Sequence, residues 1–334
     1  MSFFGKRRDR KAVGDARGIV SHVRSPSPLA PGLTRADLAA EMAALLPLAA
    51  AEPPPEPPPK KSGVSADTIW QFWWQGESAV SPPVRVCLDS VRRHAGGRPV
   101  VLIDSANVSE YLDIPPVLLA RQSAGGVSVV ALSDYIRLAL LSLYGGTWID
   151  PTVWISGEIP SETLDSEFFV FASPYWIQCP PRTLSPQLLG ALRFMSDRPS
   201  STLFGSCWWM SARPGALPPR VAKRLMTAYW ERHDASIDYM LPYDLMSLGF
   251  LANAGCQEVW ERMPKRPTTD AQLLLGVLLE PYDKGLEDAI FARTAIHKLT
   301  HKYPPEIIGP DMFYRRIFES DQPEDRRSRD TYGN

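Results

Sequence analysis

One stretch of this chain places two opposite charges inside an otherwise apolar helical pattern. Asp134 and Arg137 are three residues apart, so their side chains share one face of a helix. Gly145 and Gly146 then end the helix, and the short apolar run that follows ends at Asp150. Because the residues around the charged pair are apolar and predict burial, we expect the two charges to pair or to face a cleft.

These side chains suit recognition of a phosphate-bearing sugar compound. A semi-buried arginine such as Arg137 favours bidentate contact to phosphate or to sugar hydroxyls. A carboxylate at a strand end, such as Asp150, can bind Mg²⁺ or Mn²⁺, which bridge to substrate phosphates. The residues alone leave two other interpretations open, namely a structural salt bridge between Asp134 and Arg137, and an aspartate that only starts the turn before Pro151.

The apolar runs of the chain alternate between lengths typical of strands and of helices. Strands are predicted at residues 68–74, 99–104, 148–155 and 168–172, the third interrupted at Pro151. Helices are predicted at 82–94 and at 132–143, the latter after a short extended segment at 127–131, and residues 220–290 are more helical. This alternation predicts an α/β fold with a sheet flanked by helices. Ligands of such sheets bind beyond the carboxyl ends of strands, near which Asp150 falls.

The N-terminal part has a different composition. Residues 1–33 are basic and rich in Ser, Pro and Gly, which predicts disorder. Thr34 is a candidate N-cap for a helix at 36–46, which Pro47 is expected to perturb or end. Residues 53–59 predict a polyproline II spacer. We therefore divide the chain into an N-terminal extension at 1–66, a folded domain at 67–320 and a flexible tail at 321–334.

Two interpretations of the extension stay open. It is a tail and linker with one loosely docked helix, or it recruits the protein to another surface. In the second case its basic start and short apolar helix would contact an anionic membrane surface or a partner protein.

Charge and composition exclude several classes of protein. A net charge of −1 over 334 residues argues against a nucleic-acid partner. The four cysteines have neither zinc-site spacing nor a disulfide pattern, which favours reduced thiols. No apolar run reaches the length of about 18 residues that a membrane span needs, and no apolar signal segment follows the basic start. We expect a cytoplasmic protein, free or attached to the inner face of the cell membrane.

Four segments resemble a known family. Residues 132–137 read L-S-D-Y-I-R and residues 144–153 read Y-G-G-T-W-I-D-P-T-V. This order and spacing resemble the sugar-binding, DXD-type glycosyltransferases, in particular the capsular polysaccharide synthesis group, with similarity to glycosyltransferase family 32. Residues 69–76, I-W-Q-F-W-W-Q-G, resemble the opening strand of that group, and residues 297–302, H-K-L-T-H-K, its closing segment. The resemblance covers about residues 67–305.

The resemblance implies a GT-A fold, a Rossmann-like sheet that binds a nucleotide-sugar, with a helical C-terminal portion. It implies that Trp70 stacks on the nucleobase, that Asp134 contacts the ribose or donor sugar and that Arg137 contacts the donor. The implied catalytic residues are Asp134, Arg137 and Asp150. The implied nucleotide-sugar contacts are Trp70, Gln71, Asp134, Arg137, Tyr144, Gly145, Gly146, Lys298 and Lys302, the two lysines neutralising the leaving diphosphate. The implied ligands of Mn²⁺ or Mg²⁺ are Asp150, Thr152 and His297.

The activity that the resemblance implies is transfer of a sugar from a nucleotide-sugar to a glycan or lipid-linked acceptor in bacterial surface polysaccharide synthesis. Related families retain the anomeric configuration. Thr152 stands where many relatives outside the capsular group have a second aspartate, and Pro151 stiffens the turn. The chain could therefore be a metal-independent or weak enzyme, or a catalytically silent binding protein that scaffolds a polysaccharide-synthesis complex. A phosphatase or phosphotransferase with Asp150 as nucleophile is disfavoured, because such enzymes need the missing second aspartate.

Residues that could contact the acceptor are also present. These are Asp238, Tyr239, Asp244, Asp270, Trp208 and Trp209. For Asp238 a helix-opening role, and for the two tryptophans burial in the core, is the competing interpretation.

Overall fold

Five strands form the central sheet of the protein. The computed structural model describes residues 32, 34–178, 204–237 and 239–319. The strands of this sheet are β1 (Ile69–Phe72), β2 (Val100–Ile103), β3 (Gly146–Ile149), β5 (Phe168–Ala172) and β6 (Gly205–Ala212), in the order β2-β1-β3-β6-β5. β1 is parallel to β2 and β3, whereas β6 is antiparallel to β3 and β5. The predicted α/β sheet is therefore confirmed, and it is mostly parallel.

Helices flank this sheet. Before β3 they are α1 (Arg35–Ala50), α2 (Pro82–Arg93), α3 (Val108–Tyr111), α4 (Pro116–Ser123) and α5 (Val129–Leu143). Between β3 and β6 the structure describes α6 (Glu162–Asp165) and α7 (Pro174–Gln178). After β6 come α8 (Leu217–Arg232), α9 (Leu241–Ala252), α10 (Ala254–Arg262), α11 (Thr268–Ala271), α12 (Leu273–Val277), α13 (Lys284–Phe291) and α14 (Phe313–Phe318). The helical character predicted for residues 220–290 is confirmed.

A second, two-stranded sheet holds the segment after β3. β4 (Val153–Ile155) pairs antiparallel with β7 (Ile296–Lys298) and packs against α2. The interruption predicted at Pro151 is confirmed, but residues 148–155 belong to two strands of different sheets rather than to one strand, because residues 150–153 form a turn between them. The Val153 N–H donates to the Asp150 carbonyl oxygen at 3.0 Å, with Pro151 at the second position of the turn, where its fixed φ is favoured.

α5 begins earlier than the sequence predicts. Ser128 is its N-cap, with the side-chain oxygen accepting from the N–H of Ala131. The extended segment predicted at 127–131 is therefore mostly helix. The residues from Leu132 to Ser142 are all buried, as the apolar pattern predicts.

Glycine is required where β3 meets β1. Gly146 has a φ of 89°, and a Cβ there would lie 2.2 Å from the carbonyl oxygen of Thr68. A Cβ at this position would force the two strands apart, because the backbone carbonyl of Thr68 cannot move aside as a flexible side chain can. Gly146 thus fixes the position of β3, and with it Asp150 at the end of that strand.

The N-terminal helix α1 is part of the packed structure. Thr34 and Asp37 form a capping box, so the predicted N-cap is confirmed. Pro47 does not end the helix, which continues to Ala50; Pro47 lies on the exposed side. The buried side packs against α8 and α9 through Leu38, Met42, Leu45 and Ala49. The interpretation of a loosely docked helix is therefore wrong. The apolar face of α1 is buried within the protein rather than available to a membrane.

Residues 53–59 form neither helix nor strand and lie along α8. Arg220 donates to the carbonyl oxygens of Pro53 and Pro54 at 2.9 and 2.8 Å, and Lys223 pairs with Glu56. The described part of the chain leaves out residues 1–31, 33 and 320–334. The disorder predicted for residues 1–33 and the flexible tail predicted for residues 321–334 concern these ranges. The domain division at residue 66 stays a prediction. None of the described helices has the length and apolar character needed to cross a membrane.

Candidate active site

The guanidinium of Arg137 contacts both carboxylates of the predicted site, those of Asp134 and Asp150. Its Nη2 lies 3.0 Å from Oδ1 of Asp134, one helical turn before it on α5, and 3.4 Å from Oδ1 of Asp150. Its Nη1 donates to the carbonyl oxygen of Cys207 on β6 at 2.6 Å. The guanidinium also lies over the ring of Trp148, 4.9 Å from its centroid. The fold thus brings α5, the end of β3 and β6 together around one buried guanidinium.

Burial and the opposing charges set the protonation of this cluster. Burial raises the pKa of Asp134 to about 6; Arg137 lowers it and the Asp150 charge raises it. Burial disfavours the charged form of Arg137, but Asp134 and Asp150 outweigh that cost and raise its pKa above the ordinary value. Arg137 is therefore a permanent cation that stabilises two carboxylates.

Asp150 is held on all sides. Its N–H donates to the carbonyl oxygen of Trp208 at 2.9 Å, and its Oδ1 accepts from the indole N–H of Trp148 at 2.9 Å. Its Oδ2 lies 3.3 Å from Nζ of Lys298 on β7. The same ammonium donates to the hydroxyl of Thr152. Both carboxylate oxygens of Asp150 therefore face a cation.

The predicted metal ligands do not gather around one point. Thr152 contacts Lys298, whereas His297 extends to the other face of β7, because neighbouring residues of a strand alternate. His297 is fully buried, with Nε2 2.9 Å from Oγ of Ser156 and its ring beside Trp154. Burial lowers its pKa to about 3.

Within the described ranges, no cluster of three or more His, Cys, Asp or Glu side chains could hold a metal ion. Hard divalent ions need several oxygen ligands. Of the oxygen atoms predicted as ligands, those of Asp150 face Arg137 and Lys298, and the hydroxyl of Thr152 contacts Lys298. This donor set does not fit a resident divalent ion, and the Mn²⁺ or Mg²⁺ cofactor stays a prediction.

Trp70 belongs to the core. It is fully buried, its indole N–H donates to the carbonyl oxygen of Gly145 at 2.8 Å, and its ring contacts Tyr111 and Tyr144 at centroid distances of 5.5 and 5.7 Å. Trp70, Tyr144 and Gly145 therefore hold β1 to the end of α5, and the indole has no open face on which a nucleobase could stack. Gln71 is also fully buried, and its amide has no hydrogen-bond partner within the described ranges.

Sequence reasoning missed two aromatic residues directly after β1. Trp73 and Trp74 are partly exposed, and the ring of Trp73 meets His301 edge-on at 5.8 Å. Burial and then the charges of Lys302 and Lys298 lower the pKa of His301, so both lysines lie close to it. The signal that could have found this group is position, because residues just beyond the carboxyl end of a parallel strand line ligand sites.

The predicted acceptor residues separate into two groups. Tyr239, 66% exposed, lines a small cavity together with Asp134. Asp244 is fully buried, Asp270 pairs with Arg293, and Trp208 and Trp209 are core residues. Asp238 lies outside the described residues. Tyr239 therefore lies beside Asp134 with its side chain exposed, whereas Trp208 meets the charged cluster through its backbone carbonyl oxygen, which accepts from the Asp150 N–H.

Comparison with family models now adds to this geometry. A model described as capsular polysaccharide synthesis protein matches residues 54–317, which is more than half of the chain. The chain belongs to the capsular polysaccharide synthesis protein family. Comparisons with curated proteins and with solved structures gave no match. The family match includes the whole charged cluster and begins after α1, which ends at Ala50.

Proposed function

We propose that this member of the capsular polysaccharide synthesis family is a glycosyltransferase. It would move a sugar from a nucleotide-sugar donor to a glycan or lipid-linked acceptor in the synthesis of bacterial surface polysaccharide. The observation that carries the proposal is the cluster of Asp134, Arg137, Asp150 and Lys298 just beyond β3. Family membership supports a role in capsule synthesis.

The position of the cluster supports a GT-A type arrangement. The carboxyl ends of parallel strands form the usual ligand-binding edge of an α/β sheet. Asp150 follows β3 directly, and the partly exposed Trp73 and Trp74 follow β1, the neighbouring parallel strand. A nucleotide lying along this edge would contact aromatic side chains at one end and cations at the other.

The two cations have different tasks in this proposal. The Lys298 side chain is 21% exposed, so its ammonium can contact a diphosphate directly. The Arg137 side chain is only 6% exposed and already has three hydrogen-bonding or charged partners. Arg137 therefore acts mainly by positioning Asp134 and Asp150 and by its charge, which retains its effect in a site that excludes water.

The chemical step follows from charge. The bond between the anomeric carbon and the diphosphate oxygen breaks, and its electron pair leaves with the diphosphate. A bond forms from an acceptor hydroxyl oxygen to the anomeric carbon, and the hydroxyl proton is released to a base or to water. Negative charge grows on the diphosphate, so a cation beside it lowers the barrier. Asp134 borders the cavity with Tyr239 and in this proposal would accept a hydrogen bond from a sugar hydroxyl.

Release of nucleoside diphosphate from a panel of nucleotide-sugars tests the proposal. We expect at least one donor to be consumed, and Arg137→Gln to reduce the rate by about 100-fold or more, the usual loss when a charge-stabilising group is removed. Arg262→Gln, which changes an exposed arginine paired with Glu167, is the matched control and should behave as the unaltered protein. If nucleoside diphosphate binds but no donor is consumed, the protein is instead a silent binding protein.

A further inference from the structure

The ammonium of Lys298 lies where the turn after β3 presents its oxygen atoms. It is 3.3 Å from Oδ2 of Asp150 and donates to the hydroxyl of Thr152. An ammonium carries three donor hydrogens. The third has no partner within the described ranges, and the side chain is partly open to solvent. One hydrogen of this cation therefore remains available to an anionic ligand.

The backbone fixes this position. Lys298 stands opposite Val153 in the β4–β7 pair, and the Leu299 N–H donates to the carbonyl oxygen of Thr152 at 2.9 Å. The turn itself is closed by the bond between Val153 and Asp150. Lys298 therefore lies on a paired strand, and its two oxygen partners lie in a turn that backbone hydrogen bonds hold beside it.

The oxygen atoms that Lys298 contacts are those that a divalent ion would need. Two of the three predicted metal ligands, Asp150 and Thr152, both face this ammonium, and the third, His297, lies on the opposite face of β7. Arg137 faces the other oxygen of Asp150. A divalent ion at Asp150 would have to displace the ammonium and then lie close to two positive charges, which repel it.

We propose that the ammonium of Lys298 replaces the metal ion that the DXD-type pattern implies. Its ammonium bridges the turn to the diphosphate of the donor, and the protein binds and uses its donor without a divalent cation. This inference rests on the proposed glycosyltransferase function. Lys298 donates a hydrogen bond to a phosphate oxygen while the bond to the anomeric carbon breaks.

Metal dependence is measured first on the unaltered protein. Titration of Mn²⁺, followed by electron paramagnetic resonance of the free ion, should show no binding at micromolar concentrations, with or without uridine or guanosine diphosphate. Calorimetry should show that one of these nucleotides binds equally well in EDTA and in Mn²⁺. Tight Mn²⁺ binding, or nucleotide binding that requires Mn²⁺, would overturn the inference.

Two variants then test the lysine itself. Lys298→Met keeps the length of the side chain and should weaken binding of the nucleoside diphosphate by about 10- to 100-fold, as for loss of one hydrogen bond to a charged group. Lys298→Asp supplies a second acid beside Asp150 and should gain Mn²⁺ binding that the unaltered protein lacks. Lys284→Met, which changes an exposed lysine on α13, is the matched control. Unchanged nucleotide affinity in Lys298→Met, measured on protein with an unaltered melting temperature, would contradict the inference.

The two proposals fail differently. Donor turnover that EDTA abolishes and Mn²⁺ restores would remove the role of Lys298 and leave the glycosyltransferase function standing. Absence of turnover with every donor, combined with metal-free nucleotide binding that depends on Lys298, would remove the transferase function and keep the cation assignment.

Discussion

The indole N–H of Trp70 donates to the carbonyl oxygen of Gly145, and its ring lies beside Tyr111 and Tyr144. The residue connects β1 to the turn before β3, so it holds Asp150 in place from a distance. Its contribution is to stability and to the position of the strand, because no atom of the ring reaches the surface.

Trp70→Phe separates this role from nucleobase stacking. We expect the free energy of unfolding to fall by about 1–3 kcal/mol, because the buried carbonyl of Gly145 loses its hydrogen-bond donor. The dissociation constant of a nucleoside diphosphate should not change at a temperature well below unfolding. Denaturant titration and calorimetry measure the two quantities. A loss of affinity without a loss of stability would mean that the ring contacts the ligand.

The pairing of Asp134 with Arg137 could be predicted from their spacing, because helix geometry alone puts residues three apart on one face. The contact of Lys298 with Asp150 could not, because it depends on how β7 pairs with β4, and these strands are far apart in the chain. The burial of the Trp70 ring, which argues against its predicted base-stacking role, could not be predicted from the sequence either. β1 is buried on both faces, and sequence alone does not say that both faces of a strand are covered.

β7 illustrates how alternation along a strand separates neighbouring residues by function. Lys298 faces the turn that carries Asp150, and His297 faces the apolar side, beside Trp154 and Phe291. The folded state holds His297 neutral, because burial lowers its pKa to about 3 from 6.5, whereas the unfolded chain protonates it near 6.5. Stability from this group is therefore lost as the pH falls from 6.5 toward 3.

His297→Phe should make the fold less sensitive to acid. Phenylalanine keeps a ring between Trp154 and Phe291 but cannot be protonated. Between pH 7.5 and pH 5 we expect the unaltered protein to lose about 1–2 kcal/mol more unfolding free energy than the variant. Denaturant titrations at the two pH values measure this difference. Equal losses in both proteins would mean that His297 is not held neutral.

α1 lies outside the family match and still packs on the core through Met42 and its neighbours. Met42→Ala should lower the unfolding free energy by about 2–5 kcal/mol, as for other buried large-to-small changes. Ala43→Ser, at an exposed position of the same helix, should change it by no more than about 0.5 kcal/mol. If the two variants behave alike in denaturant titrations, α1 does not contribute to the core.

The elements that sequence reasoning missed share a physical cause. β6 is fully buried, and its two tryptophans were considered as possible sugar contacts rather than as part of a strand. β4 and β7 are three residues each, and their pairing is decided by contacts between distant segments. Longer, periodic elements such as α2 and β5 were predicted, because their pattern is local. Tertiary pairing, not local preference, therefore decides the short strands near the site.

For the molecule as a whole, the parallel strands set where a ligand can bind. β1, β3 and β5 run in one direction, and Asp150 at the end of β3 contacts Lys298 of β7. A second cavity of about 340 Å³ lies near the end of β5, beside Lys265, Arg266 and Arg293. In it Arg266 and Arg293 are paired with Glu162 and Asp270. The ammonium of Lys298 keeps a donor hydrogen that has no partner among the described residues. The surroundings of Asp150 are therefore a better site for a diphosphate than this second cavity.

A crystal structure with uridine or guanosine diphosphate would show whether Lys298 holds the diphosphate. We predict a phosphate oxygen within about 3 Å of Nζ of Lys298, the normal range of a hydrogen bond, with Asp150 and Thr152 still on the other side of the ammonium. A diphosphate bound instead beside Arg266 and Arg293, or one held through a metal ion on Asp150 with Lys298 turned away, would contradict it.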